Sequence, residues 1–471
     1  LKKHIVVIGG GISGLTAAYY LKKQADEQNI DLTIQVIEKS DVLGGRIQTV
    51  ERDGFIIEKG PDSFLARKYP IIELSKELDL EDELVGTNPN ARANFIYLNK
   101  KLHPMPMGLV LGIPTKMTPF LKTRLISPLG KMRAAMDLFL PKHNGMSDES
   151  LGHFVERRLG KEVLEHITEP LLGGIYSGNA RTISIKATFP HFKQLEQKHG
   201  SLIKGMMKSK QPAPLNNQLP AVAKKSMFLT YKNGMCTLID RLTASMPSVD
   251  ILTNCGVESI IQDGHQYKVL LDSKETITAD GLIMALPASV AAMLLPNISE
   301  NRWLDKIRYV SVANIALAFD AAAISYPLNG TGFVIPRKEG LDLTACTWTS
   351  SKWLHTAPKG KVLLRCYVGN EQTQDWVQLT DEQLIQKVRA DLEEIIGISA
   401  EPLFNEVTRA IKAMPQYPVN HVEELARVRE AMAVKKPGVF LCGAGYEGVG
   451  VPDCIQQGKQ AAINMIDYLR S

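Results

Sequence analysis

The stretch Ile5-Val6-Val7-Ile8-Gly9-Gly10-Gly11-Ile12-Ser13-Gly14-Leu15 decides the fold of this chain. Four consecutive β-branched apolar residues suit a strand buried on both faces, as in a parallel sheet. Glycines follow at once in the spacing Gly9-x-Gly11-x-x-Gly14, and residues 15–23 read as a helix. A second apolar run, residues 32–37, ends in Glu38, which stands 24 positions beyond Gly14. Strand, glycines, helix, strand and acid in this order predict a site for a dinucleotide. Gly9 is expected to make the tight turn, Gly11 to let the backbone approach a pyrophosphate, and Gly14 to let the helix pack on the strand. The helix N-terminus offers unpaired N–H groups to that pyrophosphate, and Glu38 can accept from ribose hydroxyls.

Outward from this stretch, the chain is long enough for about three domains. Of its 471 residues, 44% are hydrophobic and 22% charged, which excludes a disordered or fibrous chain. A net charge of +5 gives no reason to expect nucleic acid as a partner. The six cysteines form no CxxC pair and suit a reduced compartment. The ten histidines show no HExxH or comparable ligand spacing, so no metal is expected. Leu1-Lys2-Lys3-His4 runs directly into the first strand, so no secretory leader is expected. The longest apolar runs, residues 105–114 and 283–296, contain proline, so no transmembrane span is expected either.

The middle of the chain changes character. Residues 105–210 carry helical patterns, among them 126–140, 150–159 and 161–172. Residues 116–143 hold six Lys/Arg against the single acid Asp137, and residues 186–225 hold eight Lys against Glu196. Such clusters form either a solvated face or a funnel for an anionic partner. Residues 207–225 read as a mobile loop. Residues 291–410 read as a mixed strand-and-helix lobe with strands at 311–319, 332–335, 343–348 and 361–368. Strand-like segments at 251–252, 256–260 and 279–287, the glycine-ended run 438–445, and a helix over 452–469 complete the pattern.

Further motifs carry a resemblance. Gly44-Gly45-Arg46, soon after the acid, resembles the second dinucleotide signature of the flavin amine oxidase superfamily. With GPDSF (60–64), EPLLGGIYSG (169–178), TFP (188–190), NGMCTL (233–238), ACTWTSSKW (345–353), AMPQYPVNH (413–421) and GYEGVGVPDCIQQGK (445–459), nearly the whole chain resembles the bacterial coproporphyrinogen III and protoporphyrinogen IX oxidases. It is most similar to the soluble, Gram-positive type. The resemblance implies an α/β fold: a discontinuous Rossmann-type FAD-binding domain (1–75, 230–290 and 421–471), a mixed α+β substrate domain (76–104 and 291–420), an inserted, membrane-facing helical domain (105–210), and a linker (211–229).

It also implies non-covalent FAD and a six-electron oxidation of coproporphyrinogen III, with protoporphyrinogen IX as the alternative substrate. Dioxygen would be the acceptor, and a ferrochelatase would take the product. The setting would be cytoplasmic, with peripheral contact at a membrane. The cofactor residues carried over are Gly9, Gly11, Ser13, Gly14, Glu38, Lys39, Gly44, Gly45, Arg46, Gly60, Pro61, Asp62, Ser63, Val257, Gly443, Gly450, Val451, Pro452 and Ile455. Arg46 would hold the diphosphate, Val257 would meet the adenine region through its backbone, and the helix beginning near Pro452 would stabilise negative charge on the ring system. For the substrate, Arg67 is carried over as a propionate partner, Ile175 as a macrocycle contact, and Tyr176, Phe333 and Trp348 as pocket residues. No side chain is expected to act as a catalytic acid, base or nucleophile. One departure stands out: Ala410 occupies a position that the family tends to fill with an aromatic residue. Competing readings are a flavin amine oxidase, a carotene desaturase, and a carrier of porphyrin or flavin without turnover.

Overall fold

The computed structural model describes residues 2–143, 145, 147–208, 219–296 and 298–471. Its first sheet is five-stranded and parallel, in the order Asp250–Leu252, Leu32–Ile37, Lys3–Ile8, Gly281–Met284, Val439–Leu441. Three separate stretches of chain thus contribute to one sheet. The apolar run at residues 5–8 is explained by the sheet's two covered faces. Ile5 and Val7 pack into the core under the helices Ile12–Glu27 and Val451–Arg470. Val6 and Ile8 pack into the opposite core, under the antiparallel strands Val257–Asp263, Gln266–Leu271 and Thr276–Ala279. A strand with no solvent face has no polar alternation to show.

The second sheet has seven strands, in the order Phe404–Gln416, Arg308–Asp320, Lys361–Val368, Leu343–Trp348, Gly330–Val334, Ala93–Leu98, Lys101–Pro104. Only Gly330–Val334 and Ala93–Leu98 pair in parallel. Its outer face is closed by the helix Asp381–Ile396. That helix starts at a capping box between Thr380 and Gln383 and stops at Gly397, which takes a left-handed conformation.

The segment 117–208 is helical and has its own core. Within it, the turn Leu164–Thr168 widens to π geometry before the helix Glu169–Tyr176. Pro170 brings no N–H to this helix, and the Thr168 hydroxyl donates to Leu111 O and Val163 O, so the regular ladder is interrupted there. No helix among the described residues is long and apolar enough to cross a membrane.

Some local expectations are corrected. The helix expected over 126–140 is shorter: Pro128–Ala135, capped by the Ser127 hydroxyl, continues only as the 3-10 turn Met136–Leu138. Residues 109–114 form a two-stranded hairpin inside the otherwise helical segment, because Leu111 and Gly112 both take positive φ. Of the stretch expected as a mobile loop and linker, residues 209–218 lie outside the described residues. Ala221–Lys225 is a helical turn that buries Ala223. Phe228–Tyr231 is a strand between Phe64–Leu65 and Leu84–Gly86.

Candidate active site

The three motif glycines have three different surroundings. Gly9 has φ +106°, and a methyl group added there would lie 2.5 Å from the Ala285 carbonyl oxygen. A methyl on Gly14 would lie 1.9 Å from the Gly9 carbonyl oxygen. Gly11 is different: nothing but Gly45 Cα comes within reach of its added methyl, at 4.0 Å. Two glycines are therefore fixed by packing, and the third keeps a space clear.

Gly44 and Gly45 form the other side of that space. Gly44 N donates to Gly10 O at 2.9 Å, and Gly44 pairs with Gly11 as an isolated parallel bridge. Both have positive φ, and Gly45 faces Gly11. Glu38 is held at the edge: its Oε2 accepts from Gly10 N at 2.7 Å, and its Oε1 accepts from Ser40 N and from the Ser40 hydroxyl. Lys39 is exposed beside it. The neighbouring chain is tied to the same turn, since Glu38 N donates to Leu252 O and Cys255 N to Glu38 O. Val257 begins its strand two residues further on, at a bulge.

From Gly45 the path continues to Arg46. The Arg46 side chain reaches solvent yet is surrounded by enough protein that desolvation lowers its pKa, as expected in a concave site. Its guanidinium donates to Ile411 O at 3.3 Å, one residue beyond Ala410, which pairs with Val312 in the sheet. Gly60 packs directly on the Arg46 backbone: an added methyl would lie 1.7 Å from the Arg46 carbonyl oxygen. Pro61, Asp62 and Ser63 follow, all part-buried.

Asp62 anchors this segment to the second sheet. Lys352 Nζ donates to its Oδ2 at 3.0 Å, Trp353 Nε1 lies 3.4 Å from the same oxygen, and Arg365 lies at 3.6 Å. The Ser63 hydroxyl donates to Oδ1 at 2.7 Å. Burial alone would raise the Asp62 pKa, but Lys352 and then Arg365 outweigh it and hold the carboxyl far below the usual range. Arg365 is only 1% exposed and also donates to Gly60 O at 2.7 Å. Asn314 donates to Glu58 O at 2.9 Å.

Glu58, four residues before Asp62, titrates the other way. Burial pushes its carboxyl to about 7, against hydrogen bonds from Met235 N and the Thr49 hydroxyl. A carboxyl whose folded-state pKa is raised loses stability as pH rises from its unfolded value toward 7. Glu58→Gln, which keeps the shape, is therefore expected to flatten that decline. It should gain on the order of 2 kcal/mol at pH 8 and nothing near pH 4. Urea titrations of both proteins across this range check it, and equal slopes would contradict it.

The C-terminal elements close the cradle. Gly443 has φ +127°, and an added methyl would meet only the Ser13 hydroxyl, at 3.9 Å. Its N–H donates to Gln457 Oε1, while Gln457 Nε2 donates to Glu447 O. Tyr417 OH donates to Ala444 O, and His421 Nε2 to Tyr446 O. Buried side chains thus pin the loop that leads to Gly450, the N-cap of Val451–Arg470. Val451, Pro452 and Ile455 are buried in the first turns of that helix. Gly458 allows close packing on the first helix, since a methyl there would lie 2.3 Å from Ser13 O.

The substrate candidates divide into two groups. Arg67 is exposed and, among the described residues, makes no ion pair or hydrogen bond. Its neighbour Lys68 pairs with Asp453 at 2.5 Å, in the first turn of the last helix. Tyr176 approaches the same place: burial first, and the Asp453 charge second, raise its phenol pKa well above the ordinary value. Ile175 is 43% exposed, and methyls added at Gly173 or Gly174 would meet nothing within 4 Å among the described residues. The Glu169–Tyr176 helix therefore offers an open, flat face beside the Arg67–Lys68 turn. Phe333 and Trp348 are not brought there. Trp348 is fully buried against Phe95, Tyr326 and Phe333, in the core beneath Asp381–Ile396. Strand alternation points them to the outer face of the sheet, whereas Arg365 and Asn314 point inward.

Sequence reasoning missed Lys68, Asn314, Lys352, Arg365, Tyr417, His421 and Gln457. They lie up to several hundred residues from their partners, and no local spacing marks them.

The space bounded by Gly11, Gly45 and Gly443, with Glu38 at one end and Arg46 and residues 60–63 at the other, fits an extended dinucleotide. It has backbone room in the middle, a carboxylate for ribose and a cation for diphosphate. The model of the flavin containing amine oxidoreductase family matches residues 12–466. The coproporphyrinogen III oxidase of Bacillus subtilis (strain 168) is 44% identical over 470 residues, covering all of this chain and 99% of the relative. That of Staphylococcus aureus (strain NCTC 8325 / PS 47) is 41% identical over 473 residues and covers both chains completely. A crystal structure from Exiguobacterium sp. 255-15, provisionally named a protoporphyrinogen oxidase, superposes with a TM-score of 0.87 at 34% identity, covering 100% of this chain and 99% of that one. A family match over nearly the whole length and a cradle of this shape lead to one conclusion: the chain belongs to the flavin containing amine oxidoreductase family, and FAD is its cofactor.

Proposed function

We propose that this chain oxidises coproporphyrinogen III to coproporphyrin III in haem biosynthesis. Six electrons leave in three rounds, so that one coproporphyrinogen III and three O2 give one coproporphyrin III and three H2O2. The observation that carries this reading is the full-length likeness to two coproporphyrinogen III oxidases. FAD, when bound, supplies the hydride acceptor. The chain's own residues bind and orient. Gly11, Gly45 and Arg46 hold the diphosphate, Glu38 the ribose, and Val257 the adenine end. Residues 60–63, Gly443 and the helix N-terminus at Gly450 frame the ring system, where the helix dipole favours developing negative charge. Ile175 and the glycines before it give a flat macrocycle a surface, and Tyr176 backs them. A tetrapyrrole that gains aromaticity on oxidation needs position and field from the protein rather than a nucleophile. All six cysteines are unpaired, which supports a reduced, cytoplasmic setting, with the product passing to a ferrochelatase.

The test is product analysis with both porphyrinogens under air, counting peroxide per porphyrin formed. Coproporphyrin III with about three peroxides supports the reading, and exclusive turnover of protoporphyrinogen IX moves it to the alternative substrate. Anaerobic mixing separates enzyme from carrier: an unchanged visible flavin spectrum would indicate binding without turnover.

Coproporphyrinogen III carries four propionates and protoporphyrinogen IX two, so the unpaired Arg67 leads to two further expectations. Added salt should raise KM more for the four-propionate substrate, which an equal response would contradict. Arg67→Ala should raise KM about tenfold and leave kcat nearly unchanged, since an arginine outside the cradle contributes binding that is uniform along the reaction. Steady-state kinetics decide this, and a loss confined to kcat would count against it.

A further inference from the structure

We propose that Tyr417 and His421 are positioning residues for the oxidation: by holding the carbonyls of Ala444 and Tyr446 they fix the flavin loop relative to the helix that faces the substrate. This rests on the function proposed above, in which residues 443–450 help frame the ring system and Glu169–Tyr176 presents a surface to the macrocycle.

The loop needs such a hold. Gly443, Gly445, Gly448 and Gly450 make up half of it, and no helix or strand runs through it. Glycine has the most backbone freedom to lose, so a segment of this composition does not keep one shape by itself. The Tyr417 hydroxyl donates to Ala444 O and accepts from Gly448 N, which closes the loop on itself. His421 Nε2 donates to Tyr446 O at 2.7 Å. The two rings stack with centroids 4.6 Å and planes 22° apart, so neither turns alone. A peptide is planar and trans, so fixing a C=O also fixes the N–H on its far side. With Ala444 O and Tyr446 O held toward the stack, Gly445 N and Glu447 N face away from it, and neither has an acceptor among the described residues.

The same short segment holds the substrate side. Gln416 Nε2 donates at 2.7 Å to the carbonyl of Tyr176, the last residue of Glu169–Tyr176. Ser184 N donates to Tyr417 O at 2.9 Å, Ile183 and Pro418 form an isolated bridge, and Asn420 N donates to Asp148 Oδ2 at 2.8 Å. Residues 416–421 are therefore a strut, with the helical segment on one side and the flavin loop on the other. The histidine is there for its donor. It is 1% exposed, and its Nδ1 has no partner among the described residues. A buried acceptor left unpaired costs stability, which an apolar ring at this place would avoid. Transfer between two bound groups depends steeply on their separation, so a strut that sets this distance acts on the rate rather than on affinity.

Anaerobic single-turnover mixing of the FAD-loaded enzyme with coproporphyrinogen III, together with visible circular dichroism of the bound flavin, tests this. Tyr417→Phe keeps the ring and drops the hydroxyl. It should slow flavin bleaching at saturating substrate at least about tenfold, and leave the half-saturating concentration within about twofold of wild type. Its flavin dichroism should change. His421→Leu should behave alike, whereas His421→Gln, whose amide can donate to Tyr446 O, should recover most of the rate and the wild-type dichroism. Wild-type rate and dichroism in Tyr417→Phe overturn the proposal, and so does a His421→Gln protein no better than His421→Leu. A change confined to half-saturation would assign the segment to substrate binding, and failure of all three variants to fold would assign it to stability alone; either result also overturns it. The dichroism needs no substrate. It therefore still decides the matter if the wild-type enzyme leaves coproporphyrinogen III untouched, a result that counts against the substrate reading instead.

Discussion

Gly14→Ala is expected to give no folded, yellow protein, while Gly11→Val gives a folded protein that is colourless. Both residues belong to one glycine motif, and only their surroundings separate them. The methyl that Gly14→Ala introduces would lie 1.9 Å from the Gly9 carbonyl oxygen, which is backbone at the end of the central strand. No rotamer change relieves such a contact, so the helix must lift from the sheet. Core overpacking typically costs about 1–3 kcal/mol, and an obstacle of rigid backbone places this case at or beyond the top of that range. That is a large share of the ~5–15 kcal/mol that holds a typical domain together. At Gly11 the backbone is extended, with φ −74° and ψ 175°, which any residue adopts, and the nearest atom to the added carbon is 4.0 Å away. Apo Gly11→Val should therefore melt within about 1 kcal/mol of apo wild type. Its side chain fills the space between Gly11 and Gly45 that we assign to the diphosphate. The absorbance ratio of flavin to protein after desalting, together with the melting temperature of each apo protein, checks both halves. Gly11→Val that retains a full complement of flavin would show that the diphosphate does not lie between the two turns.

What the sequence made legible follows a physical divide. Residues 5–14 could be read because each demand there is local: a strand buried on both faces needs an unbroken apolar run, and a turn with φ +106° needs glycine. Glu38 was legible because its distance from the glycines along the chain reflects one βαβ unit. Phe404–Gln416 was not. It is the edge strand of its sheet, and its charged and part-exposed residues give no alternation that separates it from a loop. Nor was the sidedness of Phe333 and Trp348: an aromatic in a strand can face either way, and only the helix packed on the outer face settles that the core takes them. The partners of Asp62 were hidden for a further reason. Lys352 and Arg365 lie about 300 residues away, on elements that meet residues 60–63 only when the second sheet has formed.

That hidden contact makes Asp62→Asn the other change of large effect. The carboxylate is part-buried between two cations, one of which, Arg365, has almost no access to water. Asparagine keeps the shape and removes the negative charge, which leaves Arg365 and Lys352 without the carboxylate between them. Breaking a buried pair by deleting one partner costs about 3–5 kcal/mol, because the remaining charge is uncompensated. Lys352 is not fully buried, so solvent offsets part of this, and a loss of about 3 kcal/mol is expected. The pH dependence identifies the cause. A carboxyl whose folded-state pKa is depressed contributes stability above its unfolded value, near 4, and loses it only as pH falls through the folded value. The gap between wild type and Asp62→Asn should therefore be constant from pH 8 to pH 5 and narrow below about 4, opposite in sense to Glu58→Gln, whose benefit appears only toward neutral and alkaline pH. Two carboxyls four residues apart, one ending the strand Phe55–Glu58 and one in the segment after it, would then report their surroundings through opposite slopes. Asp62→Asn/Arg365→Met should recover part of the loss, since it removes the stranded cation together with its partner. Chemical denaturation of the three proteins at pH 7 and pH 4 decides the matter. A double variant no more stable than Asp62→Asn alone would mean that Arg365 is held by Gly60 O and its other neighbours rather than by the charge opposite it.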